Sequence, residues 1–184
     1  AFHATMPEET LSQRIAGSLT LIAARPAPGN PFAFATHRVL KGAPPAASPP
    51  QLVDSATRHR LAREPASAVL FARDGGGTWT RLLLLDETTG PVLRRMLEHA
   101  RHWSSPEGAA ARRDFAAGLL AQPDRRLRRL ALRELDALDH AVLREGSYPV
   151  PAEALLGAVD DIRETPDAPV RVLLLGILGG ERVE

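Results

Sequence analysis

The sequence predicts an α+β protein: a small five-stranded β-barrel followed by an α-helical repeat region. Three observations carry that expectation. The first half holds short strand-type runs between Pro and Gly breakers. From Gly90 onward, apolar residues recur at i, i+3, i+4 spacing. Within that second half, one stretch repeats at a fixed offset: Pro123-Asp124-x-x-Leu127-Arg128-x-Leu130-x-Leu132-x-x-Leu135 returns as Pro166-Asp167-x-x-Val170-Arg171-x-Leu173-x-Leu175-x-x-Leu178, 43 positions later. A period in the forties with helical spacing inside each copy is the mark of stacked helix pairs. The implied organisation is a β domain over residues 1–88 and a helical domain over residues 89–184.

The β elements follow in order. Ser18–Ala24 alternates, with Leu19 and Leu21 opposite Ser18 and Thr20. Phe32–Leu40 alternates with Phe32, Phe34 and Leu40 on one side, and the prolines from Pro44 to Pro50 form the loop that ends it. Gln51–Asp54 is expected as a short third strand and Ser55–Glu64 as a helix. Ala68–Ala72 is a compact apolar strand, Asp74-Gly75-Gly76-Gly77 a hairpin turn, and Thr78–Leu85 the fifth strand. The four leucines from Leu82 to Leu85 predict burial on both faces of that last strand. Five strands with a helix between the third and fourth is the plan of a Greek-key barrel of the OB type.

The helical elements are as regular. Gly90-Pro91 opens a helix with Val92, Leu93, Met96, Leu97, Ala100 and Trp103 on its apolar face. Ser105-Pro106-Glu107 combines a hydroxyl cap, a first-turn proline and an acid at the positive dipole end. It starts a second helix with a Phe115, Ala116, Leu119 and Leu120 stripe. Asp124 caps a third helix that buries Leu127, Leu130, Ala131, Leu135 and Leu138. Glu145–Pro151 is a loop, Ala152–Arg163 a fourth helix, and Asp167 opens a fifth.

Composition bounds the function. The chain has 184 residues, 44% hydrophobic and 24% charged, with a net charge of +1, so no global field draws it onto nucleic acid or an acidic membrane. Cysteine is absent, which excludes disulfides, thiolate zinc sites and thiol catalysis. No apolar run approaches the roughly 20 residues that span a bilayer. The first residue is Ala1 rather than methionine, an expectation of trimming or of a removed signal peptide, and with the latter of a periplasmic or secreted location.

The succession of Asp at the helix start, an aliphatic residue three positions on and Arg immediately after it resembles the second helix of HEAT-type repeats, over Ser105–Gly180. In the first helices of the pairs, Phe115, Ala116 and Leu119 align with Ala158, Val159 and Ile162, while Arg112 aligns with Leu155. The resemblance implies a HEAT-like repeat region whose concave face binds a macromolecule. Phe34-x-x-x-Arg38-Val39-Leu40-Lys41-Gly42, with Val69-Leu70-Phe71, is similar to the netrin/TIMP-like OB domains of extracytoplasmic bacterial proteins, over Leu11–Glu87. That resemblance implies an OB-like barrel. The N-terminal cysteines through which the metalloprotease-inhibiting members act are missing, so it implies no inhibitor role.

Candidate chemistry is sparse. His99 and His102, three apart beside Glu98, are the nearest approach to a metal pair, and Ala1-Phe2-His3 has the order of an amino-terminal copper or nickel chelator. Arg125, Arg126, Arg129 and Arg133 lie opposite the leucines of their helix, with Arg128 beside them, and form a basic binding surface for an acidic partner or phosphates. Trp79 is the one aromatic candidate for stacking a base in an OB-like groove. Asp160, Asp161 and Glu164 read as a solvated helix face, and His37, His59 and His140 are single. G-x-S-x-G, P-loop and H-E-x-x-H motifs are absent. The expectation is a non-enzymatic binding or scaffolding module without cofactor, acting on another protein. The alternatives are a hydrolase with an unidentified site and an oligonucleotide binder using the OB-like face.

Overall fold

The computed structural model of the protein describes residues 9–156 and 167–180. The chain divides into two compact units, one of Gln13–Ala100 and one of the residues up to Ser12 with those from Arg101 onward. The divisions fall inside helix α1 (Leu11–Gly17) and in the last turn of helix α3 (Thr89–Trp103).

The first unit is built on a sheet of β1 (Thr20–Ala27), β2 (Asn30–Lys41), β3 (Ala68–Arg73) and β4 (Trp79–Leu85). Its order is β2-β1-β3-β4, with every neighbouring pair antiparallel. The expected five-stranded closed barrel is therefore incorrect: the structure has a four-stranded open sheet with β2 and β4 at its edges.

The missing strand has a physical explanation. Gln51–Asp54 makes a single bridge, Leu52 to Ala33, supported by the Val53 amide donating to the Phe32 carbonyl at 2.8 Å. Leu52 is 76% exposed, so extending the pairing would bury little apolar surface. The prolines before it offer no amide donors. Asp54 then turns the chain into helix α2 (Ser55–Arg63), its carboxylate accepting from the Thr57 amide at 2.8 Å and the Thr57 hydroxyl at 2.6 Å. Gln51 reaches the far edge, where its Nε2 donates to the Trp79 carbonyl at 2.8 Å, and Arg81 pairs with Asp54 at 3.0 Å. The segment spans the mouth of the sheet without closing it.

Burial on both faces falls on the central strands and not on the edge strand where it was expected. Leu21–Ala24 of β1 and Val69–Phe71 of β3 are fully buried, whereas Leu82, Leu83 and Leu84 are half-buried and only Leu85 is enclosed. Ile22, Phe34, Val53, Leu61, Val69 and Phe71 form the core on the α2 side, with the Phe34 and Phe71 rings edge to face at 4.9 Å. Arg25 ties α2 to the sheet. Its guanidinium donates to the Leu61 carbonyl at 2.8 Å, the Pro65 carbonyl at 2.6 Å and the Ser67 carbonyl, and so caps the negative end of the helix. Gly42 leaves β2 at φ +79°, and a Cβ there would lie 2.1 Å from the Leu19 carbonyl oxygen, so only glycine fits.

The second unit is helical. A 3₁₀ turn, Pro106–Gly108, leads into α4 (Ala109–Leu120), followed by α5 (Arg125–Asp136), α6 (His140–Arg144), α7 (Ala152–Leu156) and α8 (Ala168–Gly180). α4 packs on α5 and α6, and α8 on α5, α6 and α7. The third helix ends at Asp136 instead of running to Leu138, and α6 is an element the periodicity did not suggest. Of the expected fourth helix, Ala152–Leu156 is described; Ala158, Val159, Asp160, Asp161, Ile162 and Glu164 lie outside the described residues.

The two repeat copies agree in burial at three positions. Leu127 and Val170 are buried, Ala131 and Leu174 are buried, and Leu130 and Leu173 are half-buried. They differ further on, where Leu132 and Leu135 are enclosed but Leu175 and Leu178 are half-buried.

Arg112, the residue that interrupts the apolar alignment, is 4% exposed and pairs with Glu134, itself 1% exposed. Its Nη2 lies 2.8 Å from Glu134 Oε2 and donates to the Thr10 hydroxyl at 2.9 Å. Glu134 also accepts from the Ser12 amide at 2.9 Å and the Ser12 hydroxyl at 2.6 Å. The carboxylate of α5 thus caps the first turn of α1, and every polar group in the cluster has a partner, which a buried ion pair requires.

Candidate binding groove

A groove of about 680 Å³ opens in the helical unit. One wall is the turn between α4 and α5. Asp124 caps α5, accepting from the Arg126 amide at 2.7 Å, and this sets Arg125 and Arg128 on the first turn beside the groove. Arg128 is held in place by its own turn: its Nη1 donates to the Gln122 carbonyl at 3.0 Å and the Pro123 carbonyl at 2.6 Å. The opposite wall is Pro149-Val150-Pro151 and the first turn of α7, with Ala154 and Leu155. That wall is anchored from behind by Tyr148, whose buried hydroxyl donates to the Leu143 carbonyl at 2.7 Å. Leu120 and Leu132 complete the apolar lining, and α8 contributes Arg171, only 6% exposed.

The electrostatics separate the arginines by role. The Arg126 guanidinium, 2.7 Å from Asp124, holds that carboxyl below the usual range and keeps it ionised. Arg129 pairs with the buried Asp167 at 3.3 Å and links α5 to the start of α8. Both carboxylates at the helix starts are thus engaged by arginines that do not line the groove. Arg128 keeps its charge on neutral carbonyl partners, and it lines the groove with Arg125 and Arg171. Among the described lining residues there is no carboxylate and no aromatic ring.

Of the basic residues expected to bind, Arg125 lines the groove; Arg126 and Arg129 are engaged by Asp124 and Asp167; Arg133 is exposed on the outer face of α5. Asp124 pairs with Arg126 and not with Arg128, one turn on. Trp79 is half-buried against the sheet core with the Arg73 guanidinium 5.9 Å from its ring centre. His99 and His102 are exposed on α3, His99 lying 3.9 Å from Glu98. Among the described residues no group of three His, Cys, Asp or Glu side chains is placed to hold a metal ion. His3 lies outside the described residues. No helix among the described residues is long and apolar enough to cross a membrane.

Arg171 lies outside the expected basic cluster, and Arg128 lies beside its expected face, yet both line the groove. The signal was present in the repeat itself: Arg128 and Arg171 occupy the same position in the two copies, and both line one groove. Comparison with protein-family models, with curated proteins and with solved structures returns no match to this chain. Neither a HEAT-like nor a netrin-like relationship is shown by these comparisons.

Proposed function

We propose that the protein is a non-enzymatic binding module that engages a segment of another protein in the groove of its helical unit. The observation that carries this reading is the composition of the groove. It combines apolar side chains, three wall prolines and a carbonyl-anchored guanidinium, which supply affinity and orientation rather than proton transfer or nucleophilic attack. Its size is that of a ligand site, within the roughly 300–1,000 Å³ such sites occupy. The prolines fix the wall before any partner arrives, which lowers the ordering cost of binding.

The test is selection of peptides from a displayed random library against the full chain, followed by mapping with two surface substitutions. Ala154→Trp fills the groove from an exposed position, and Val150→Asp places a charge on its apolar wall. Selected peptides are expected to lose most of their binding to both variants while far-ultraviolet circular dichroism stays unchanged. A library that yields no binder, or binders indifferent to both substitutions, would overturn the reading.

A further inference from the structure

We infer that the occupant of this groove is an acidic peptide segment, with a carboxylate side chain meeting Arg128 and an aliphatic side chain resting on Val150 and Ala154. This rests on the protein-binding reading above and goes further, to the chemistry of the partner.

The repeat supplies the first argument. The recurring pattern places its arginine, Arg128 and Arg171, in the lining of one groove. The charge state of the surroundings supplies the second. Asp124, the carboxylate closest in sequence to Arg128, is held by Arg126. Among the described residues, Arg128 donates to the carbonyl oxygens of Gln122 and Pro123 and pairs with no carboxylate. Those two bonds fix the guanidinium plane while leaving its charge uncancelled, and a planar, oriented guanidinium is suited to bidentate carboxylate recognition.

The lining of the groove decides between a peptide and a nucleic acid. Both are anionic, but single-stranded nucleic acid binds by stacking its bases on aromatic side chains. The described lining is aliphatic and proline-rich, with no ring to stack on. A leucine or valine beside an acid suits such apolar walls. The near-zero net charge of the chain points the same way, because it supplies no long-range attraction for a polyanion.

The experiment is fluorescence anisotropy with the full chain and short labelled peptides whose core is Glu-Leu-Glu, Gln-Leu-Gln or Lys-Leu-Lys. The acidic peptide is expected to bind at least tenfold more tightly than its amide counterpart, the lysine peptide least, with affinity falling as salt rises. Arg128→Gln is expected to weaken the acidic peptide by about tenfold to a hundredfold, the loss of a charge-assisted hydrogen bond, and to leave the amide peptide unchanged. Arg128→Lys should recover part of the loss. Arg128 is half-exposed, so these variants keep the fold, whereas substitution of the buried Arg171 can unfold the helix and is read only after circular dichroism. Equal binding of the acidic and amide peptides, both abolished by Ala154→Trp, would overturn the acidic assignment and leave the groove standing. Binding that Ala154→Trp does not touch would overturn both. A single-stranded oligonucleotide that competes as well as the acidic peptide would place the protein in another class and also overturn the inference.

Discussion

The one tyrosine of the chain, Tyr148, is 6% exposed behind the groove wall and donates its hydroxyl to the Leu143 carbonyl. Burial pushes its phenol up to about 12, against the pull of the nearby Arg113. An unfolded chain ionises the same group near ~10. The folded pKa is the higher of the two, so the contribution to stability is complete below ~pH 10 and is lost as pH rises through about 12. Because no other tyrosine contributes, tyrosinate absorbance in an alkaline titration should appear near pH 12 or together with unfolding. A separate tyrosinate transition near ~pH 10, before any loss of helix signal, would show the phenol to be accessible. Nothing in the residues around Tyr148 announces this. Its partner is five residues away and across a helix end, whereas Asp124 at the start of α5 declares its role from the local pattern alone.

At the scale of elements, one cap and one turn were legible; the Ser105 hydroxyl cap and the strand pairing were not, for Ser105 donates to the His102 carbonyl instead of capping a helix. The Asp124 cap of α5, the Asp74–Gly77 turn between β3 and β4 and the apolar face of α3 follow from residues a few positions apart, whereas Asp54, expected to end a strand, caps α2. Asp54 also makes the clearest element-level prediction. The Thr57 hydroxyl and amide, then Arg81, hold its carboxyl well below the usual carboxylate range. The folded pKa is the depressed one, so the stabilisation is present above the unfolded value of ~3.9 and is lost as pH falls through the folded value. Asp54→Ala should lower stability at neutral pH by about 1 kcal/mol, the worth of an N-cap. Asp54→Asn should keep part of the cap and lose the Arg81 pair. Urea midpoints at neutral and acid pH check both. The gap between wild type and Asp54→Ala should narrow in acid, and a constant gap would show that ionised Asp54 contributes nothing special. The misplaced third strand belongs at this scale too: Gln51–Asp54 has strand-type residues, but the cap at its end and the exposure of Leu52 left nothing to hold a ladder.

At the scale of the molecule, each compact unit contains one of the two tryptophans, Trp79 in the first and Trp103 in the second. Trp103 stacks on Phe115 with ring centres 4.6 Å apart, so its emission reports the helical unit. With Trp79→Phe and Trp103→Phe each leaving a single reporter, urea unfolding is expected to give two transitions that do not coincide. Glu134→Gln leaves Arg112 buried against a neutral partner. It should lower the transition seen by Trp103 by about 3 kcal/mol, the cost of breaking a buried pair, and spare the one seen by Trp79. Coincident transitions that shift together would show one cooperative unit.

The sequence by itself determined the α+β class, the positions of most helices and strands, the Asp124 cap of α5 and the 43-residue recurrence of a side-chain pattern. Each of these depends on hydrogen bonds and side-chain periodicity within a few residues, where the chain's own order keeps the partners together. Tertiary structure alone decided that the sheet stays open, that Glu134 closes on Ser12 across 122 positions, and that Arg128 and Arg171 share a groove. Those outcomes depend on which distant surfaces bury one another. A periodic pattern states that a face is apolar, but the face that covers it is chosen by packing among all the elements at once.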